Sequence, residues 1–165
     1  RHPWLDVGIE TDTTLIGIES KRYEPFRPAK ATGFAEVYDK PVWGEKMGRF
    51  TALRDALVAG DQSFAALDAV QLIKHASGVY TRSQKRALGA VLVYLYAEPA
   101  VWANGKPVDP ARIALHRREV AAFGRAVAGD SVVFVPIRWA DLLEQWAGVP
   151  ALKLHVRALR ERFAV

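Results

Sequence analysis

Two short alternating segments joined by a polar link constrain this chain more than any other feature. In residues 4–10, Leu5, Val7 and Ile9 alternate with Asp6, Gly8 and Glu10; in Thr14–Lys21, Ile16 and Ile18 alternate with Leu15, Gly17, Glu19 and Lys21. Period-two alternation reads as two strands, and the Thr-Asp-Thr-Thr link reads as a tight hairpin turn. With Asp12-Thr13 as a two-residue turn, Thr11 pairs with Thr14 and Asp6 falls opposite Glu19. Directly opposed side chains share a face, so this register predicts that Asp6, Glu19 and Lys21 converge. A slip of one residue would set Ile18 against Asp6 and mix polar with apolar faces.

The rest of the chain predicts helices and two further strands. Residues 22–45 are rich in Pro, Gly and charge, with aromatics at Tyr23, Phe26, Phe34, Tyr38 and Trp43. They read as a long loop with a short helix at 34–38, either a substrate-facing flap or a surface loop anchored by its rings. Helices are expected over 48–59 and 63–77, the second on the stripe Phe64, Leu67, Val70 and Ile73, with Ser77-Gly78 as its stop. Residues 88–97 are near-continuously apolar, as in a strand buried on both faces. Asp109-Pro110 opens a long helix to about Ala128, residues 131–137 form another buried strand, and helices over 140–147 and 150–163 close the chain. This order suggests one α/β domain, a mixed sheet covered on both faces by helices.

The hairpin carries the chemistry. Two carboxylates brought together repel each other and call for a cation. Mg²⁺ suits oxygen ligands and is commonly held by one or two carboxylates plus a substrate phosphate. Such an ion polarises a phosphoryl oxygen and acidifies a water. Lys21, two residues beyond Glu19 on the same face, can hold that water and stabilise developing charge. The plain alternative is an ion pair on a solvated strand, worth about 0–1 kcal/mol. Glu10 lies at the turn end, where an exposed role fits better, and Glu24 is a candidate auxiliary acid. Gln71, Lys74 and His75 share a helix face, and Arg82, Lys85 and Arg86 follow as a basic cluster. Lys74, His75 and that cluster are candidates for phosphate contacts that carry no sequence information. His2, His116 and His155 form no ligand spacing.

The run Leu5-Asp6-Val7, then Ile16-Gly17-Ile18-Glu19-Ser20-Lys21, then Glu24-Pro25-Phe26, with Gln71 on a later helix, resembles the PD-(D/E)XK, or restriction endonuclease-like, superfamily, in particular an uncharacterised bacterial branch. The resemblance spans residues 4–139. It implies a restriction endonuclease-like core, an active-site hairpin plus βαβ, and Mg²⁺-dependent nuclease activity with Mn²⁺ able to substitute. Asp6, Glu19 and the Ser20 carbonyl would be metal ligands, Lys21 the catalytic lysine, and Gln71 the polar residue that positions metal, water or backbone. Two departures stand out. Arg1-His2-Pro3 leaves no room for the helix that usually precedes the hairpin, and the nearest Pro to Asp6 is Pro3.

Composition fits this picture without deciding it. The net charge of +5 favours an acidic partner such as nucleic acid, though it suits a solvated basic surface equally, and the nuclease resemblance puts DNA before RNA. Absence of cysteine removes disulfides and thiolate zinc sites and suits a cytoplasmic protein. The longest apolar run is too short to span a bilayer. Cleavage of both strands of a duplex would favour a homodimer. The chain opens on Arg1 rather than Met, as a trimmed or partial sequence would. Two other readings stay open: a nuclease fold kept as an inactive nucleic-acid-binding or interaction module, and an α/β domain in which Glu19 and Lys21 are purely structural.

Overall fold

The computed structural model describes residues 5–28, 33–40 and 43–163. The Arg1-His2-Pro3 segment and Trp4 lie outside them. Strand β1 (Val7–Glu10) pairs antiparallel with β2 (Thr14–Lys21). Next come α1 (Gly48–Ala59), α2 (Ala69–Arg86), β3 (Gly89–Tyr96), α3 (Pro110–Val127), β4 (Val132–Arg138), α4 (Trp139–Ala147) and α5 (Lys153–Phe163). The sheet order is β1-β2-β3-β4, with β3 parallel to both β2 and β4. Each parallel step is made by a helical crossover, as parallel neighbours require. The molecule is a mixed α/β fold with a four-stranded mixed sheet flanked by helices.

One face of the sheet presents Leu15, Ala90, Leu92, Tyr94 and Val132 to α1, α2 and α3, whose Phe50, Leu72, Ile73, Ala76, Val79, Val120, Phe123 and Val127 complete the core. Phe123 is the centre of the aromatic packing, edge-on to Phe50, Phe64 and Phe134. The other face does not match the expectation of a sheet covered on both sides. Val7, Ile9 and Val133 remain 47 %, 43 % and 55 % exposed. Helix α4 covers its C-terminal end, where the Trp139 indole donates to Ser20 Oγ at 3.4 Å, and α5 packs on α4.

Helix α2 also departs from the sequence reading. It starts at Ala69 rather than residue 63, because Asp68 accepts from the Gln71 amide (2.8 Å) and so provides the cap. Residues 65–67 are held out of helix by Glu119, whose carboxylate accepts all three of their amides at 2.8 Å. The helix then runs through Ser77-Gly78 to Arg86, since Val79, Tyr80 and Ser83 continue its buried stripe. The expected short helix at 34–38 is a 3-10 turn, Glu36–Asp39. Its segment is tied down by rings: Tyr38 stacks on Trp43, whose indole donates to Thr81 Oγ1 at 3.1 Å. Aromatic anchoring is therefore what this loop displays.

Candidate active site

The hairpin register from Val7 to Glu10 is the one its alternation demanded: Gly8 faces Gly17 and Glu10 faces Leu15, and the Thr11 amide donates to Thr14 O at 2.9 Å; the expected pair of Asp6 with Glu19 is not among the paired residues. The alternation breaks at its upper end. Val7 pairs with Ile18, yet the Asp6 amide also donates to Ile18 O (3.1 Å), so two residues of one strand meet one of the other. Leu5 thereby leaves the side of Val7 and Ile9, where alternation had placed it, and lies over Gly17. A Cβ at Gly17 would stand 2.5 Å from Leu5 Cδ1 and 2.7 Å from Val79 Cγ2, so glycine is required by the close approach. Asp6 stays exposed, and its Oδ2 accepts the Ser20 amide at 2.7 Å.

Glu19 has a different environment. It is 2 % exposed. Its Oε1 lies 2.5 Å from Lys21 Nζ and its Oε2 lies 3.0 Å from His75 Nε2. The second contact is short but poorly aligned, and Oε2 has no well-directed donor. Burial pushes the Glu19 carboxyl up, but hydrogen bonding and attraction from His75 and Lys21 outweigh it and hold the group below its ordinary value. Glu19 is thus an anion kept under the surface by two nitrogen groups. Among the described residues, no three His, Cys, Asp or Glu side chains gather as a metal cage.

A cleft of about 640 Å³ opens beside this cluster, lined by Lys21, Glu24, Gln71 and Tyr94 on one side and by residues 62–67 on the other. Gln71 reaches it from the first turn of α2, one helical turn before His75. Glu24 turns the chain after Lys21: its Oε2 accepts the amides of Arg22 and Tyr23, both at 2.9 Å. Burial raises the Glu24 carboxyl, and those backbone donors more than reverse it.

The expected phosphate-contacting group is split. His75 is 1 % exposed, so the reading of it as a surface contact is replaced by its place against Glu19. Lys74 donates to Gly33 O (2.6 Å) and sits over the Phe34 and Tyr38 rings. Arg82 and Arg86 reach Glu10 at 3.5 and 3.4 Å, at the turn end of the hairpin. Arg86 lies fifteen residues beyond Gln71 on one helix, about 22 Å away. The structure therefore does not bring Arg82, Lys85 and Arg86 to the Lys21 cleft.

Three residues matter here that the sequence gave no reason to single out. Arg112 donates to the carbonyls of Pro25 (3.3 Å), Arg27 (3.0 Å) and Ala65 (3.4 Å), and Glu119 holds the amides of 65–67. Both sit on α3 and fasten both walls of the cleft. His116 is fully buried, with Nε2 2.9 Å from the Tyr94 hydroxyl and Nδ1 without a partner; burial depresses it to about 4. Only the i, i+4 spacing of Gln71 and His75 was a signal legible in advance. No helix among the described residues is long and apolar enough to cross a membrane. No family model, curated protein or solved structure matches the chain.

Proposed function

We propose that this protein is a divalent-metal-dependent phosphodiester hydrolase, a nuclease of the PD-(D/E)XK kind with DNA as its favoured substrate. The observation that carries this reading is the buried, ionised Glu19 with Lys21 at 2.5 Å, Lys21 lining an open cleft, and an exposed Asp6 that accepts the amide of the intervening Ser20. The donor set suits Mg²⁺ or Mn²⁺: a carboxylate held anionic with one oxygen lacking a well-directed donor, and a second carboxylate one strand away. Asp6, Glu19 and the Ser20 carbonyl would hold the ion. When bound, it supplies Lewis acidity toward the phosphoryl oxygen and lowers the pKa of a water.

The chain's own groups account for the rest. Lys21 Nζ, exposed on its outer side, donates to a phosphate oxygen or to the attacking water and offsets charge that grows as the phosphorus gains an oxygen. Gln71 orients water or phosphate from the adjoining cleft wall. A water oxygen bonds to phosphorus, the ester P–O bond breaks, and the water's proton passes to solvent as the departing alkoxide is protonated. His75 holds Glu19 from below. The test is cleavage of supercoiled and heat-denatured plasmid DNA with Mg²⁺ or Mn²⁺, wild type against Lys21→Ala. Cleavage by wild type alone supports the reading, and equal cleavage by both proteins refutes the assignment of Lys21.

A second reading keeps the fold without the chemistry, as a nucleic-acid-binding or interaction module. Its supporting observation is that both Glu19 oxygens already face Lys21 and His75, as in a closed structural cluster. DNA binding with no cleavage of either plasmid form would favour it.

A further inference from the structure

The cleft beside Lys21 has a definite size and pinned walls. Its volume, about 640 Å³, falls in the range of pockets that enclose one small ligand. Of the groups assigned to the chemistry, Lys21 and Gln71 line it; the Lys21 side chain is 17 % exposed and its partner Glu19 2 %. Both walls are pinned to α3, residues 25–27 and 65 by Arg112 and residues 65–67 by Glu119, so the opening is built in the free protein. Its lining mixes apolar surface from Leu57 and Phe64, cations from Lys21 and Arg27, carboxylates from Glu24 and Asp68, and amides from Gln62 and Gln71. Apolar surface beside cations and amides is what an unstacked base and its phosphate need. A duplex keeps its bases stacked, and kinking it to lower one phosphate into a recess of this size costs deformation energy that an unpaired strand does not incur. A base must leave the stack to follow its phosphate in, and an unpaired strand does so at least cost.

We propose that this cleft receives one unpaired nucleotide, so that the enzyme acts on single-stranded DNA, overhangs and frayed ends in preference to intact duplex. The inference rests on the phosphodiesterase reading, and the experiment separates the two. One labelled strand is presented with Mg²⁺ alone, annealed as a blunt duplex, and annealed with an overhang, to wild type, Phe64→Ala and Gln62→Trp. Phe64 also touches Phe123, so its variant can disturb the core. Gln62 is exposed, so tryptophan there narrows the cleft while leaving the core untouched.

Cleavage of the single strand and the overhang about tenfold or more faster than the blunt duplex is expected, with Gln62→Trp losing that advantage. Equal rates on all three substrates, or a Gln62→Trp variant that keeps the preference, overturn the inference while leaving a nuclease. If wild type cleaves none of them, the nuclease reading falls. Anisotropy of the same strands then decides the cleft: tighter single-strand binding lost in Gln62→Trp supports it, and equal or absent binding overturns it.

Discussion

Replacing His75 by alanine tests whether Glu19 is held ionised by its neighbours or simply tolerated in the core. The imidazole is 1 % exposed, lies 3.0 Å from Glu19 Oε2 and is one of two nitrogen groups offsetting the burial of that carboxylate. Removing one partner of a buried polar pair costs about 3–5 kcal/mol, because the remaining group stays desolvated. Lys21 still holds Oε1 and its side chain keeps some solvent contact, which puts the expected loss near the lower end, about 3 kcal/mol. For a chain of this length that corresponds to a fall of roughly 6–12 °C in Tm. Urea denaturation of wild type, His75→Ala, Glu19→Gln and the double variant gives the coupling directly, expected at about 1–3 kcal/mol. A His75→Ala protein within about 1 kcal/mol of wild type, or a strictly additive cycle, would refute the account of why Glu19 is an anion.

Further outcomes follow from the same geometry. Gly17→Ala forces a methyl against Leu5 and Val79 and should cost about 1–3 kcal/mol in urea denaturation, with Leu5→Ala restoring part of it. Acid should weaken the fold in two stages. The depressed His116 contributes stability that is complete above its unfolded value of 6.5 and is lost as pH falls from there toward about 4, a loss of about 3 kcal/mol. Glu19, also depressed, contributes stability present above 4.5 and lost below it; His116→Phe should remove the first stage alone in a pH series of urea midpoints. Glu119→Ala frees three backbone amides and should expose residues 62–68 to limited proteolysis, while Glu119→Gln, with one acceptor oxygen, should be intermediate. Lys21→Ala should abolish cleavage and, by leaving buried Glu19 with His75 alone, cost about 3 kcal/mol in urea denaturation; a variant that stays folded and still cleaves would refute the role of Lys21.

Local chemistry settled a good part of this protein in advance. The alternation of residues 5–9 and 14–21 with a two-residue turn fixes one register, which holds from Val7 to Glu10, whereas the expected pairing of Asp6 with Glu19 gives way to the step at Ile18. Asp109-Pro110 starts α3 where cap and proline place it, and the two apolar runs become β3 and β4. What was not legible came from partners far away in the chain. Residues 62–68 carry a helical stripe, but Glu119 takes their amides and outweighs it. Gly78 is a stop signal on propensity, yet the buried stripe through Ser83 carries α2 past it. Leu5 follows its strand period until the step at Asp6 turns it over Gly17. The electrostatic state of Glu19, the burial of His75 and His116, and a cleft pinned from α3 exist only once distant segments pack. A residue's spacing reports its own backbone period, whereas its solvation and charge depend on whichever neighbours the fold brings against it.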